Sequence, residues 1–172
     1  MTLISALENI AEGLKKNEIP FCLAGGFAYS IYAEPRTTVD IDVVTLTSGT
    51  PCKLRETFNA LFPSVYENTI VFSYKLITIQ RFLLMAEDEE FVFDQLCYKP
   101  EFDEYSSAVF SRLKTIPFGE TEIPVISRED LIILKSASKR KQDRLDVSNL
   151  LTDADMAYLK LWAGRLGINI ET

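Results

Sequence analysis

The chain has no histidine among its 172 residues. That excludes a Ser-His or Cys-His nucleophile and any metal site built on imidazole. Cysteine is scarce too: Cys22, Cys52 and Cys97 are widely spaced and odd in number. This pattern fits buried thiols in a reducing compartment, not a disulfide framework or a zinc site. Positive charge is the minority sign, 18 Lys and Arg against 25 Asp and Glu for a net charge of −7. Such a balance argues against wholesale wrapping of nucleic acid, although a local basic patch can still hold a polyanion. No apolar run reaches membrane length and no signal peptide is visible, so the expectation is a cytoplasmic protein without membrane contact. Linkers, internal repeats and low-complexity segments are also lacking. What remains, 47% hydrophobic and 25% charged, suits a single soluble domain with a full-sized core.

One stretch stands out within this ordinary composition. Ile19 to Ala24 reads as a short strand ending at Gly25-Gly26, Phe27 to Ala33 as a brief helix stopped by Pro35, and Val39 to Leu46 as an apolar strand. Only Asp40 and Asp42 interrupt that strand. Residues i and i+2 of a strand share a face, so the two carboxylates stand side by side and repel each other. A divalent cation, Mg²⁺ or Mn²⁺, relieves both the repulsion and the burial of charge.

The rest of the chain alternates between element types. Thr2 to Lys16 has Leu3, Leu7, Ile10, Ala11 and Leu14 at helical spacing, and Thr50 is placed to cap a second helix reaching Leu61. Residues 65–97 turn towards strands: Ile70 to Tyr74, Leu76 to Leu84 and Phe91 to Cys97, with Glu87 to Glu90 as a solvated turn. Asp94 is the odd acid in its run, either an edge residue or a third carboxylate if its strand lies beside the first pair. Glu101 to Ser107 reads as a short helix, and residues 112–126 as a hairpin turning at Phe118-Gly119-Glu120. Ser127 followed by Asp130 has the capping-box spacing and opens a helix through Ser138. Val147 to Leu151 and Met156 to Leu166 complete a helical tail. The expected fold class is α/β (α+β), a mixed sheet flanked by helices, with residues 1–126 as core and 127–172 as a helical C-terminal portion.

Ala24-Gly-Gly26 followed by Arg36-Thr-Thr38-Val-Asp40-Ile-Asp42 resembles the signature of the nucleotidyltransferase superfamily, of DNA polymerase β-like fold. The pattern is similar in particular to the toxin-type and minimal nucleotidyltransferases of type IV toxin–antitoxin (abortive infection) systems. Arg128-Glu-Asp-Leu-Ile-Ile-Leu-Lys135 and the run from Arg140 to Asp146 resemble the distal helical element of that group. The resemblance spans residues 20–150. It implies that Asp40 and Asp42 hold Mg²⁺ against the triphosphate of a nucleotide. Asp94 would complete the site as general base or second-metal ligand. Gly25 and Gly26 would admit phosphate to the backbone, and Arg36 and Lys135 would add positive charge. The implied partners are a nucleoside triphosphate, an acceptor that is tRNA, protein or small molecule, and an antitoxin protein. An antibiotic nucleotidyltransferase and a catalytically silent nucleotide-binding or interaction protein are the alternatives.

Plainer readings stand beside these. Gly-Gly is commonly only a turn, Arg36 can pair with a neighbouring carboxylate, and Lys135 can be a surface lysine lying along apolar neighbours. Lys139, Arg140, Lys141 and Arg144 can form a solvated helix end. Two departures from the pattern are visible: Gly26 stands where the broader superfamily has serine, and Gln142 where relatives carry lysine.

Overall fold

The computed structural model describes residues 1–46, 50–138 and 140–170. The expected Thr50 cap, the Cys52 thiol and Lys139 lie outside the residues whose side chains are described. A mixed eight-stranded sheet runs in the order β3-β5-β6-β2-β1-β8-β7, with the short β4 added to β5. The strands are β1 Phe21–Leu23, β2 Asp40–Thr45, β3 Ser64–Glu67, β4 Phe72–Ser73, β5 Ile77–Ala86, β6 Glu89–Tyr98, β7 Lys114–Phe118 and β8 Thr121–Val125. Among the described residues the α-helices are seven: α1 Leu3–Lys16, α2 Gly25–Tyr32, α3 Thr50–Leu61, α4 Asp103–Ser111, α5 Arg128–Ser136, α6 Lys141–Leu150 and α7 Met156–Leu166.

The centre of the sheet sets the geometry of everything functional. β2 lies between β1, which it pairs antiparallel, and β6, which it pairs parallel. Its residues alternate as the period of a strand demands: Ile41 and Val43 are buried, while Asp40 and Asp42 take the other face at intermediate exposure. The parallel register sets Asp42 directly beside Asp94 of β6. The β5–β6 hairpin then sets Arg81 opposite Asp94. Three neighbouring strands thus place Arg81, Asp94 and Asp42 in one row.

Local chemistry explains most element ends. Thr2 and Ser5 form a reciprocal capping box on α1, whose buried face is Ala6, Leu7, Ile10, Ala11 and Leu14. Ser127 caps α5 by accepting from the Asp130 amide at 3.1 Å, and its hydroxyl donates to Asp130 Oδ2 at 2.6 Å. Tyr105 of α4 and Tyr158 of α7 also donate to Asp130 Oδ1, at 2.9 and 2.8 Å. One buried carboxylate therefore ties three helices together. The hydrophobic core is one cluster running from Leu7 through Phe93 to Trp162, so the C-terminal helices share it with the sheet.

Several expected boundaries move. The helix after the first strand begins at Gly25, earlier than Phe27, so the Gly-Gly pair is its first turn. The acidic turn narrows to Glu87-Asp88, with Glu89 and Glu90 already in β6. Glu87 takes a positive φ of 56° there. Only Phe72–Ser73 of the expected 70–74 strand pairs, and β3 is an added edge strand. The helix expected to start at Val147 starts at Lys141, because its inner face is Asp143, Asp146, Val147 and Leu150: correct helical spacing, half of it carboxylate.

Candidate active site

Gly25 begins the construction. Its φ is +56°, a left-handed value that costs other residues about 1–2 kcal/mol. A Cβ at this position would fall within the carboxylate of Asp42. The amide of Ala24 donates to the Asp42 carbonyl at 2.9 Å, which fixes the end of β1 to β2. The Gly26 backbone amide favours the charged form of the Asp42 side chain. The turn and the acid are therefore one unit, and glycine is required because the carboxylate occupies the space of a side chain.

Gly26 has a separate reason. A Cβ on it would meet Thr38 Oγ1 at 2.6 Å and Thr38 Cβ at 2.8 Å. The Thr38 side chain thus fills the place a serine at position 26 would need, and its own hydroxyl, donating to the Asp40 carbonyl at 3.3 Å, stands at that point. This accounts for the departure from Gly-Ser.

Asp40, Asp42 and Asp94 line one open cavity of ≈ 510 Å³, together with Gly25, Gly26, Arg36 and Lys135. All seven residues singled out from the sequence border the same space. Their states differ. Burial, then the nearby charges of Asp94 and Asp40, push the Asp42 carboxyl from an ordinary 3.8 up to about 6, with Lys135 and the Gly26 amide opposing the rise. Asp94 is not a bare acid: its Oδ1 accepts from Arg81 Nε at 2.8 Å and its Oδ2 from Arg81 Nη2 at 2.7 Å. The same Nη2 lies 3.7 Å from Asp40 Oδ2. Among the described residues no group of three acidic, cysteine or histidine side chains is gathered in the manner of a metal cage.

Lys135 is neither a surface lysine nor free for phosphate. With its side chain 6% exposed, its Nζ donates to Asp143 at 2.9 Å and Asp146 at 2.7 Å. Asp146 also accepts from Gln142 at 2.9 Å and from Arg36 at 3.0 Å. Arg36 therefore does pair with a carboxylate, yet its buried Nε has no hydrogen-bond partner. Burial opposes ionisation of Asp146, but the bonds from Lys135, Gln142 and Arg36 prevail and hold its carboxyl below the usual range. Arg140 is exposed at the rim, 4.0 Å from Asp143. The lining also includes apolar and aromatic side chains, Phe72, Tyr74 and Ile79 among them.

Arg81 is the site residue that the sequence reading missed. A signal existed: Arg81 and Asp94 are equidistant from the Glu87-Asp88 turn, so hairpin symmetry makes them cross-strand partners.

The donor chemistry suits a hard divalent cation at Asp40 and Asp42. Two strand carboxylates share a face, and burial together with the charges of Asp94 and Asp40 disfavours the ionised form of Asp42, which a bound cation would relieve.

The fold has clear parallels. An antigenic nucleotidyltransferase-like protein from Paracoccidioides brasiliensis is similar over 99% of this chain and 94% of its own, with 15% identity and a TM-score of 0.57. ANT(2")-Ia, solved with adenylyl-2"-tobramycin, aligns over 97% of this chain and 98% of its own, with 11% identity and a TM-score of 0.61. The lincosamide antibiotic adenylyltransferase LnuA, solved with lincomycin, covers 87% of this chain and 97% of its own, with 15% identity and a TM-score of 0.55. Comparison with curated proteins gives no match. A glycine turn locked onto a paired-carboxylate strand and a buried lysine on a distal helix lie within residues 12–145, the part that matches the family described as nucleotidyl transferase AbiEii toxin, type IV TA system; the chain belongs to that family and is a nucleotidyltransferase.

Proposed function

We propose that this nucleotidyltransferase moves a nucleoside monophosphate from a nucleoside triphosphate to an acceptor hydroxyl or phosphate in a Mg²⁺-dependent reaction. The carrying observation is the pairing of Asp40 with Asp42 at the glycine turn, on the floor of a cavity with cationic side chains on its rim. Asp40 and Asp42 would hold the cation. When bound, it would supply charge neutralisation for the triphosphate and for the departing pyrophosphate.

The protein's own groups do the remaining work. Gly25 and Gly26, the first turn of α2, would offer phosphate the positive end of a helix dipole beside the Asp42 carboxylate. Arg36, which lines the cavity, adds positive charge on the same side. Lys135 acts through the field it exerts on Asp42 and by holding Asp143 and Asp146 in place. Asp94 faces the cleft with its Arg81-bonded oxygens; it would orient the acceptor hydroxyl and take its proton as the new P–O bond forms. An in-line displacement needs nucleophile and leaving group on opposite sides of the phosphorus. Asp94 and the glycine turn flank the Asp40–Asp42 pair in a way consistent with that need.

The family description implies an antitoxin partner for this chain. We place the reaction in the cytoplasm, where nucleotides and reduced thiols occur together; Cys22 and Cys97 are free and buried. No helix among the described residues is long and apolar enough to cross a membrane. The acceptor is an RNA end such as tRNA, a protein hydroxyl or a small molecule. The last is favoured by neighbours solved with adenylyl-2"-tobramycin and with lincomycin.

The experiment is incubation with each α-labelled nucleoside triphosphate and Mg²⁺, with total tRNA, a cell protein extract or aminoglycoside and lincosamide compounds as separate arms. The proposal expects label on one acceptor class and none when Mg²⁺ is chelated. Label on no acceptor, with no nucleotide-dependent thermal shift, would leave a catalytically silent interaction protein.

A further inference from the structure

We infer that Arg81 is a built-in cation that withholds Asp94 from the metal set, so that the protein itself holds one divalent ion, on Asp40 and Asp42, and not two. The inference rests on the reading of Asp40 and Asp42 as metal ligands and goes beyond it by dividing the three acids between different tasks.

Geometry and charge carry it. Both oxygens of Asp94 are engaged by one planar guanidinium, Nε to Oδ1 at 2.8 Å and Nη2 to Oδ2 at 2.7 Å, the fork-on-fork arrangement that is the strongest form of an Arg–carboxylate pair. The acid is close to buried, its side chain 7% exposed, while Arg81 at 38% stays open to the cleft, so the carboxylate's main cationic partner is this guanidinium. The strand register pre-sets it, because Arg81 and Asp94 are directly opposed on β5 and β6 and need no loop to meet. Arg81 Nη2 then reaches to 3.7 Å from Asp40 Oδ2, where a second cation shared between Asp94 and Asp40 would have to sit. Like charges at that separation repel. Three carboxylates and one guanidinium leave two negative charges, which a single divalent ion balances. Any further cation must be held by the substrate's own phosphates. Asp94 keeps its remaining lone pairs for the acceptor, and Arg81 is a positioning residue that aims them.

The test counts Mn²⁺ bound to the nucleotide-free protein by electron paramagnetic resonance of the free ion, with titration calorimetry for affinity. Wild type is expected to take up one equivalent. Asp94→Asn should keep that equivalent with a smaller loss of affinity than Asp40→Asn, which should weaken it by at least about tenfold. Arg81→Met, checked for folding by its melting temperature, should take up a second equivalent that the double variant with Asp94→Asn does not. Two equivalents in wild type, or Asp94→Asn as damaging as Asp40→Asn, would overturn the inference while leaving a metal-dependent site in place. No Mn²⁺ on any variant would overturn both this division of labour and the metal reading beneath it.

Discussion

Replacing Asp42 with asparagine should make the metal-free protein more stable while abolishing transfer. The substitution keeps the size of the side chain and an oxygen facing the Gly26 amide, and removes the charge. In the fold that charge is disfavoured by burial and by Asp94 and Asp40, which raise the carboxyl from 3.8 to about 6. A group whose folded pKa is raised contributes stability that is fully present below its unfolded pKa and is lost as pH rises through the folded value. A shift of about two units corresponds to roughly 3 kcal/mol, so wild type lacks about that much at pH 8 relative to a neutral side chain. For a chain of this size that is roughly 6–12 °C in melting temperature. The assay is thermal unfolding of both proteins in chelator across about pH 4 to 8. Asp42→Asn should melt higher at the alkaline end, and the gap should close as pH falls through about 6 towards 4. Added Mg²⁺ should raise wild type alone. An unchanged or lower melting temperature for Asp42→Asn at pH 8 would refute the electrostatic account of the site.

Three other substitutions follow from the same geometry. Gly25→Ala combines a left-handed backbone with a collision at Asp42, so it should cost at least about 1–2 kcal/mol in chemical denaturation and remove transfer altogether. Gly26→Ser should lose activity because Thr38 occupies its space; pairing it with Thr38→Gly should recover transfer, and a single variant as active as wild type would contradict the packing. Lys135→Met strands the Asp143 and Asp146 carboxylates with only Arg36, Gln142 and the distant Arg140 as partners. It should destabilise the fold by about 3 kcal/mol in denaturant titration at neutral pH. That loss should shrink as acid protonates Asp146, whose carboxyl lies below the usual range.

The parts legible in the sequence were those whose local pattern and tertiary role agree. β2 shows its two faces in its own alternation, and α1 and α7 show theirs in apolar spacing, so their positions follow closely from the residues. Six of the seven site residues are local to two motifs, Asp94 stands alone on a separate strand, and each of the seven borders the cavity. Partnership was harder to read than position. Lys135 resembles any helix-end lysine until α6 is known to present Asp143 and Asp146 to it, and α6 itself is masked because carboxylates take the place of apolar residues on its inner face. Arg81 was hidden by a different cause: reading residues 87–90 all as turn shifts the hairpin register, and only a two-residue turn at Glu87-Asp88 brings Arg81 opposite Asp94. The Gly26–Thr38 exchange is a packing relation between residues twelve apart, invisible to any periodicity.

The most direct test is diffraction from crystals grown with Mn²⁺ and a non-hydrolysable nucleoside triphosphate, using the anomalous signal of the metal. The account predicts a manganese peak within coordination distance of both Asp40 and Asp42, with the triphosphate against Gly25 and Gly26. Nucleotide bound elsewhere, or manganese absent from that carboxylate pair, would contradict it.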